Sequence, residues 1–183
     1  MLALAWRWGN FAQSELGGIS TRLAASLRSG IGGHAGAWNN DDIDCAYRAL
    51  RSTPALANAW RPARLGDGRV AIFHGYFDNA AAVATELGTD RLDLAALYAL
   101  AVEAWGDDVD LRIIGAYCAV IADAQGGQLR LARSPLRAPP LYHFHDEQLA
   151  VAGSVPRIFF AAGVPQRLNE RRLADSGIIN FLD

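Results

Sequence analysis

The chain has 183 residues and a formal net charge of −2, and 51% of its residues are hydrophobic while 20% are charged. This balance predicts one folded domain over residues 1–183 with a core of its own, and it excludes a mainly disordered chain. All cationic side chains are arginine, and the lack of lysine excludes Schiff-base chemistry and a phosphate loop that depends on lysine.

The same composition argues against several partners and sites. No run approaches the ~20 apolar residues that a membrane span needs, and the arginines are scattered rather than gathered into a stripe for nucleic acid. Cys45 and Cys118 are too few and too far apart for a disulfide framework or a zinc site, which favours a reducing cytoplasm. His143 and His145 would share one face of a strand, but without a clear third and fourth ligand they predict no metal site.

The first third of the chain gives weak signals of secondary structure. Residues 2–8 alternate large and small apolar side chains and predict a strand, and apolar spacing near 3.6 over residues 12–29 indicates a helix that two glycines weaken. Residues 29–44 are rich in glycine, asparagine and aspartate and predict a loop. Residues 47–50 indicate a short strand, and an irregular stretch follows to residue 66.

From residue 67 the patterns are clearer. An apolar strand over residues 69–73 is expected to end at His74 and Gly75. Helices are expected next, over residues 79–87 and 93–105.

The remaining strands are predicted to form one antiparallel meander, over residues 115–122, 128–133, 141–144 and 149–152. Ser154 is expected to cap a short helix over residues 155–161. Because strands and helices are clustered rather than strictly alternating, their order favours an α+β fold with antiparallel sheets.

Seven segments carry a resemblance to a known family by their order and spacing. They are residues 68–79 (GRVAIFHGYFDN), 103–106 (EAWG), 115–119 (GAYCA), 129–133 (LRLAR), 139–142 (PPLY), 149–154 (LAVAGS) and 161–165 (AAGVP). Together they resemble the N-terminal glutaminase domain of the asparagine-synthetase family, a type 2 glutamine amidotransferase. Residues 67–183 carry the resemblance, whereas residues 1–66 diverge from it.

The resemblance implies a fold and a chemistry. The fold is that of the N-terminal-nucleophile (Ntn) hydrolases, a four-layer αββα sandwich of two antiparallel sheets. In the family, a cysteine exposed by removal of the initiator methionine attacks glutamine, and its own α-amino group is the base. An asparagine and a glycine form the oxyanion hole, and an arginine and an aspartate bind the charged backbone groups of glutamine.

The resemblance also implies where the cofactors act. ATP and Mg²⁺ serve a second, C-terminal synthetase domain that adenylates a carboxylate. The Ser-Gly-Gly-x-Asp-Ser loop of that domain does not occur in this chain, so no cofactor is expected here.

The residues at the family's catalytic positions differ in this chain. Leu2 stands where the nucleophile is expected and has no nucleophilic atom, so no catalytic residue is assigned. His74 replaces the oxyanion asparagine, while Gly75 is kept, although a tight turn alone would also explain that glycine. Asp93 falls near the family's ligand aspartate or caps a helix. Arg48 lies where the glutamine-binding arginine is expected or is a solvated surface residue.

These departures predict a degenerate, non-catalytic glutaminase-like domain that supports the synthetase domain of an ATP-dependent amide-forming enzyme. The pattern suits the lasso-peptide macrolactam synthetases, which resemble asparagine synthetases but join a peptide's own amine to an adenylated Asp or Glu side chain and need no ammonia. The expected partners are the synthetase domain, on which the apolar residues 177–182 would pack, and a precursor peptide.

Two alternatives remain open from the sequence. One is an active glutamine-hydrolysing enzyme, either an asparagine synthetase subunit or an Ntn hydrolase with an unconventional nucleophile. The other is a module that binds a peptide without chemistry.

Overall fold

Two antiparallel β-sheets form the centre of the molecule in a computed structural model of the chain, which describes residues 1–8, 18–27, 33–39, 42–50, 61–90, 93–136 and 138–166. The first sheet contains β1 (Leu2–Arg7), β2 (Gly33–Asn39), β3 (Ile43–Leu50), β8 (Tyr142–His145) and β9 (Leu149–Gly153). The second sheet contains β4 (Ala63–Arg64), β5 (Val70–Phe77), β6 (Gly115–Asp123) and β7 (Gln128–Arg133). Their strand orders are β2-β3-β1-β9-β8 and β4-β5-β6-β7.

Helices cover the outer face of each sheet. They are α1 (Ile19–Ser26), α2 (Ala80–Glu86), α3 (Leu94–Trp105), α4 (Val109–Arg112) and α5 (Ile158–Ala162). Helices α1 and α5 pack on the first sheet, and α2 and α3 pack on the second. Among the described residues, no helix is both long enough and apolar enough to cross a membrane.

Strand β1 shows how one short sequence builds two layers of core. Its side chains alternate, so that Leu2 and Leu4 lie between the two sheets while Ala3 and Ala5 lie under α1 and α5. All four are fully buried, which explains a strand that is apolar on both faces. The small alanines let the helices approach the sheet closely. The predicted four-layer αββα sandwich of two antiparallel sheets is therefore confirmed.

Strand β5 divides its side chains between layers in the same way. Val70 and Ile72 pack between the sheets. Phe73 and Phe77 face α3, and their two ring centroids are 4.7 Å from each other. The fully buried Tyr98 of α3 completes this outer aromatic cluster. The broad apolar stripe predicted for the helix at residues 93–105 is thus confirmed as its buried face.

The predicted loop over residues 29–44 is wrong in the part that the structure describes. It contains β2, which pairs along its whole length with β3, and β3 begins four residues earlier than predicted, at Ile43. Glycine and asparagine have low strand propensity, but the Tyr47 ring lies over Gly36, where an added Cβ would come within 2.5 Å of the ring. Tertiary pairing therefore overrides local propensity in this segment.

The predicted end of the strand at His74 and Gly75 is also wrong. Strand β5 continues through both residues to Phe77, because β6 pairs with it from Val70 to Phe77. Nor do the later strands form one meander, since β7 belongs to the second sheet and β8 to the first. A sheet change of this kind depends on long-range pairing that turn residues do not reveal.

Two predictions at helix ends have different outcomes. Ser154 does not cap the last helix, which begins at Ile158, because its hydroxyl accepts a hydrogen bond from the Leu2 backbone instead. Asp93 does cap α3, and its carboxylate accepts a hydrogen bond from the Ala95 backbone at 3.1 Å.

The first predicted helix is shorter than expected, since α1 begins at Ile19. Residues 12–17 and 177–182, on which other predictions rest, lie outside the described residues.

Candidate functional site

The first residues of β1 lie where the resemblance places the catalytic nucleophile. The Leu2 side chain is fully buried between the sheets. Its backbone N–H donates to Ser154 Oγ at 3.0 Å, and its carbonyl accepts from the Ser154 N–H at 3.0 Å. The nitrogen of Leu2 is an amide, because Met1 precedes it, so it donates a proton and cannot serve as a base. This position therefore offers neither a nucleophile nor a free amine on Leu2.

Arg48 meets the start of β1 through its backbone. Its carbonyl accepts from the Met1 nitrogen at 2.8 Å, and its N–H donates to the Met1 carbonyl at 2.9 Å. Along β3, Arg48 shares the side of Asp44 and Ala46, which face α1. The neighbouring Tyr47 faces the second sheet instead. The strand thus places the Arg48 side chain on the helix side of the first sheet, away from the space between the sheets.

His74 lies in β5 directly opposite Cys118 in β6. It shares the side of Val70 and Ile72 and so points into the layer between the sheets, near the start of β1. Burial, with a smaller contribution from the Met1 amino group, lowers the pKa of His74 to about 3. A neutral imidazole has only one N–H donor, whereas the asparagine that the resemblance implies at this position has two, so His74 would be a poorer oxyanion ligand than asparagine.

The depressed pKa of His74 predicts a pH-dependent stability. The unfolded chain binds a proton below the ordinary histidine value of 6.5, while the folded chain resists it down to about 3. The contribution of His74 to stability is therefore complete above pH 6.5 and is lost as the pH drops toward 3, by about 1.4 kcal/mol per pH unit. The Met1 amino group, whose pKa burial lowers to about 5, adds a slope of the same sign. Guanidinium unfolding between pH 7 and about pH 4 should therefore show a slope that is smaller in His74→Gln than in the wild type by the contribution of His74.

His145 provides the matched control for this measurement, because it is an exposed histidine in β8. His145→Gln is expected to leave the pH slope as in the wild type. Equal slopes in the wild type and in His74→Gln would show that His74 titrates normally in the folded protein.

Gly75 is required by packing within the sheet. Its φ is +129°, and a Cβ at this position would lie 2.1 Å from the Ala116 carbonyl oxygen. The structure therefore corrects the expected reason for this glycine, since it lies inside a paired strand rather than in a tight turn. Close backbone approach explains Gly75 whether or not it binds an oxyanion.

The two thiols of the chain are both buried. Burial raises the pKa of Cys118 to about 12, and its thiol donates to the Pro140 carbonyl at 3.9 Å. Burial also raises the pKa of Cys45 far above its usual range. Because the thiolate is the nucleophile, neither cysteine is activated at neutral pH.

Asp93 is separated from the other predicted site residues. As the cap of α3 it lines a cavity of about 490 Å³, which also involves Gly36, Trp38, Tyr47, Arg61 and Arg64. His74, Gly75 and Arg48 do not line this cavity. The structure thus brings Leu2, His74 and the Arg48 backbone together at the start of β1 and places Asp93 at a second location.

The sequence analysis did not identify the other residues of this cavity. Apart from Ala96 of α3, they come from β2, β3, and β4 with the two residues before it, which the sequence predicted as loop, short strand and irregular chain. No sequence motif contains all of these residues. They line one cavity because of where the edges of the two sheets lie in the fold. Metal ligands are a separate question: the described part of the chain holds no group of three or more His, Cys, Asp or Glu that could bind a metal ion.

Comparisons with known proteins identify the class of domain. A family described as "Glutamine amidotransferase domain" matches residues 54–161, which is more than half of the chain. No curated protein matches the chain. Among solved structures, the chain is similar to glutamine phosphoribosylpyrophosphate (PRPP) amidotransferase from B. subtilis, complexed with ADP and GMP, with a TM-score of 0.61 and 15% identity.

The similarity to that structure covers 89% of this chain and 44% of the amidotransferase chain. The chain therefore spans less than half the length of that protein, and at this identity the likeness shows the fold alone. The fold is that of the Ntn-hydrolase amidotransferases. From the family match, the chain belongs to the glutamine amidotransferase domain family.

Proposed function

We propose that this chain is a degenerate, non-catalytic glutamine amidotransferase domain that supports an ATP-dependent, asparagine-synthetase-like enzyme of the lasso-peptide cyclase type. The observation that carries the proposal is Leu2, an aliphatic side chain fully buried at the position of the nucleophile. Its nitrogen is an amide bonded to Ser154 Oγ. Glutamine hydrolysis in this fold requires a nucleophilic atom and a free amine at this position, and Leu2 supplies neither.

The proposed parent reaction removes the need for ammonia. In a macrolactam synthetase the attacking nitrogen is the peptide's own amine, and the electrophile is an adenylated Asp or Glu side chain. ATP and Mg²⁺ would act in the synthetase domain, and this domain would hold no cofactor. A domain relieved of glutamine hydrolysis can lose its thiol while its packing on the synthetase domain is still needed.

Exposed apolar side chains support contact with a partner at the end of the molecule where β1 begins. Tyr76, Ile114, Leu136 and Tyr142 are 41–77% exposed, and they are four of the six large apolar side chains exposed in the described residues. Tyr76 follows Gly75 in β5, and Tyr142 pairs with Gly153, which also pairs with Ala3 of β1. We assign the surface formed by these four side chains to contact with the synthetase domain. The free, buried thiols suit the reducing cytoplasm that the proposal includes.

A glutaminase assay tests the proposal on the purified chain. Incubation with L-glutamine is expected to release no ammonia above a protein-free blank, while an active glutaminase run in parallel confirms the assay. A glutamine-like chloroketone should leave the mass of the protein unchanged, because the thiols of Cys45 and Cys118 are buried and protonated.

Release of ammonia together with covalent labelling would overturn the proposal and favour an active hydrolase with an unconventional nucleophile. Peptide mapping would then locate the labelled residue. Loss of both signals in Cys118→Ala would identify that thiol as the nucleophile, whereas their retention would point to another residue.

A further inference from the structure

The cavity beside Asp93 lies where both sheets present an outer strand. Strand β2 is at the edge of the first sheet, and β4 is at the edge of the second. The walls combine aromatic and cationic groups, since Trp38 and Tyr47 face the cavity together with Arg61 and Arg64. A volume of about 490 Å³ is within the range of ~300–1,000 Å³ that is usual for ligand sites.

The two arginines of the cavity have no carboxylate partner among the described residues. Arg7, Arg69, Arg112 and Arg130 each form an ion pair with a carboxylate, whereas Arg22 and Arg133 donate to backbone carbonyls. Arg61 and Arg64 form no ion pair within the described part of the chain, although Arg64 stacks over Trp38 with its guanidinium carbon 5.5 Å from the ring centroid. Asp93 is the acidic residue of the cavity wall, and its carboxylate caps α3. Among the described residues that line the cavity, positive charge is therefore in excess.

We propose that this cavity binds a carboxylate side chain of an acidic peptide that lies extended along β2. The guanidinium groups of Arg61 and Arg64 would bind the carboxylate, and Trp38 would contact its methylene groups. Within the described residues the outer edge of β2 pairs with no further strand, so its backbone groups can accept a peptide strand. We propose a peptide rather than a free acid as the ligand because only a peptide can also pair with this strand edge.

The inference does not depend on whether the domain hydrolyses glutamine. Binding and ammonia release are measured separately, so the failure of one does not decide the other.

Titration calorimetry with a defined peptide tests the inference. The probe is an eight-residue peptide of alternating valine and glutamate, acetylated and amidated so that its only charges are side chains. We expect binding that the Arg61→Gln/Arg64→Gln double variant weakens at least tenfold. The same peptide with glutamine in place of glutamate should bind at least tenfold more weakly than the glutamate peptide. Both arginines are exposed, so the variants should fold, which circular dichroism checks.

Arg112→Gln is the matched control, because Arg112 is also exposed and also stacks on a tryptophan, 4.9 Å from the Trp105 centroid. It is expected to change the affinity by less than twofold. An equal loss in Arg112→Gln, equal binding of the glutamine peptide, or no binding at millimolar peptide would overturn the inference. Binding of free glutarate without binding of the peptide would also overturn it, since the ligand would then be a small acid.

Discussion

Asp44→Ala is expected to lower the free energy of unfolding by about 3–5 kcal/mol. Arg7 donates to Asp44 at 2.8 Å, and the two side chains are only 8% and 2% exposed. Asp44 also accepts a hydrogen bond from the Ser20 backbone, so one carboxylate joins β1, β3 and α1. Its removal would leave a buried guanidinium without its charge partner, which costs far more than the loss of a surface pair. Equilibrium unfolding in guanidinium measures the change.

A surface ion pair supplies the control for this measurement. Glu86 accepts from Arg112 at 2.9 Å, and these side chains are 56% and 50% exposed. Glu86→Ala should therefore cost less than about 1 kcal/mol. Equal effects of the two substitutions would mean that burial of the Arg7–Asp44 pair does not determine its importance.

Gly75→Ala is expected to destabilise the fold by about 3–5 kcal/mol, through overpacking and an unfavourable backbone conformation together. The added Cβ would lie 2.1 Å from the Ala116 oxygen and 2.6 Å from the Tyr117 Cα. Both atoms belong to the backbone of β6, which is paired on its other side with β7, so neither can move aside cheaply. Thermal and guanidinium unfolding of the variant would measure the loss.

Gly88→Ala separates the two contributions. Gly88 has φ +64°, and nothing lies within 4 Å of a Cβ built there. Its replacement should cost about 1–2 kcal/mol, from the left-handed backbone conformation alone. If Gly75→Ala costs no more than Gly88→Ala, close approach to β6 is not the reason for the glycine.

Much of the fold could be predicted because its strands and helices have strong local patterns. The apolar segments at β1, β5 and β6 and the stripe of α3 each indicate burial without knowledge of their partners. Strand β2 could not be predicted in this way, because Gly36 lowers its strand propensity and the Tyr47 ring that lies over Gly36 belongs to the neighbouring strand. The change of sheet between β7 and β8 depends on pairing between residues far apart in the chain.

The candidate site shows the same limit. Leu2, His74, Gly75 and Asp93 could be singled out through a resemblance, with Asp93 either the ligand aspartate of the family or the cap of a helix. It could not show that Asp93 lies in a cavity apart from the others, since that depends on how the sheet edges meet. The reason for Gly75 likewise became visible only with the neighbouring strand in place.

The burial of Leu2 has an evolutionary consequence. A cysteine at this position would remove apolar volume from a layer where the side chain is fully enclosed, and the fold would lose stability before it gained any chemistry. Selection for a well-packed interior thus opposes a cysteine at this position. The layer around Leu2 would have to be repacked before a cysteine could take this position without loss of stability.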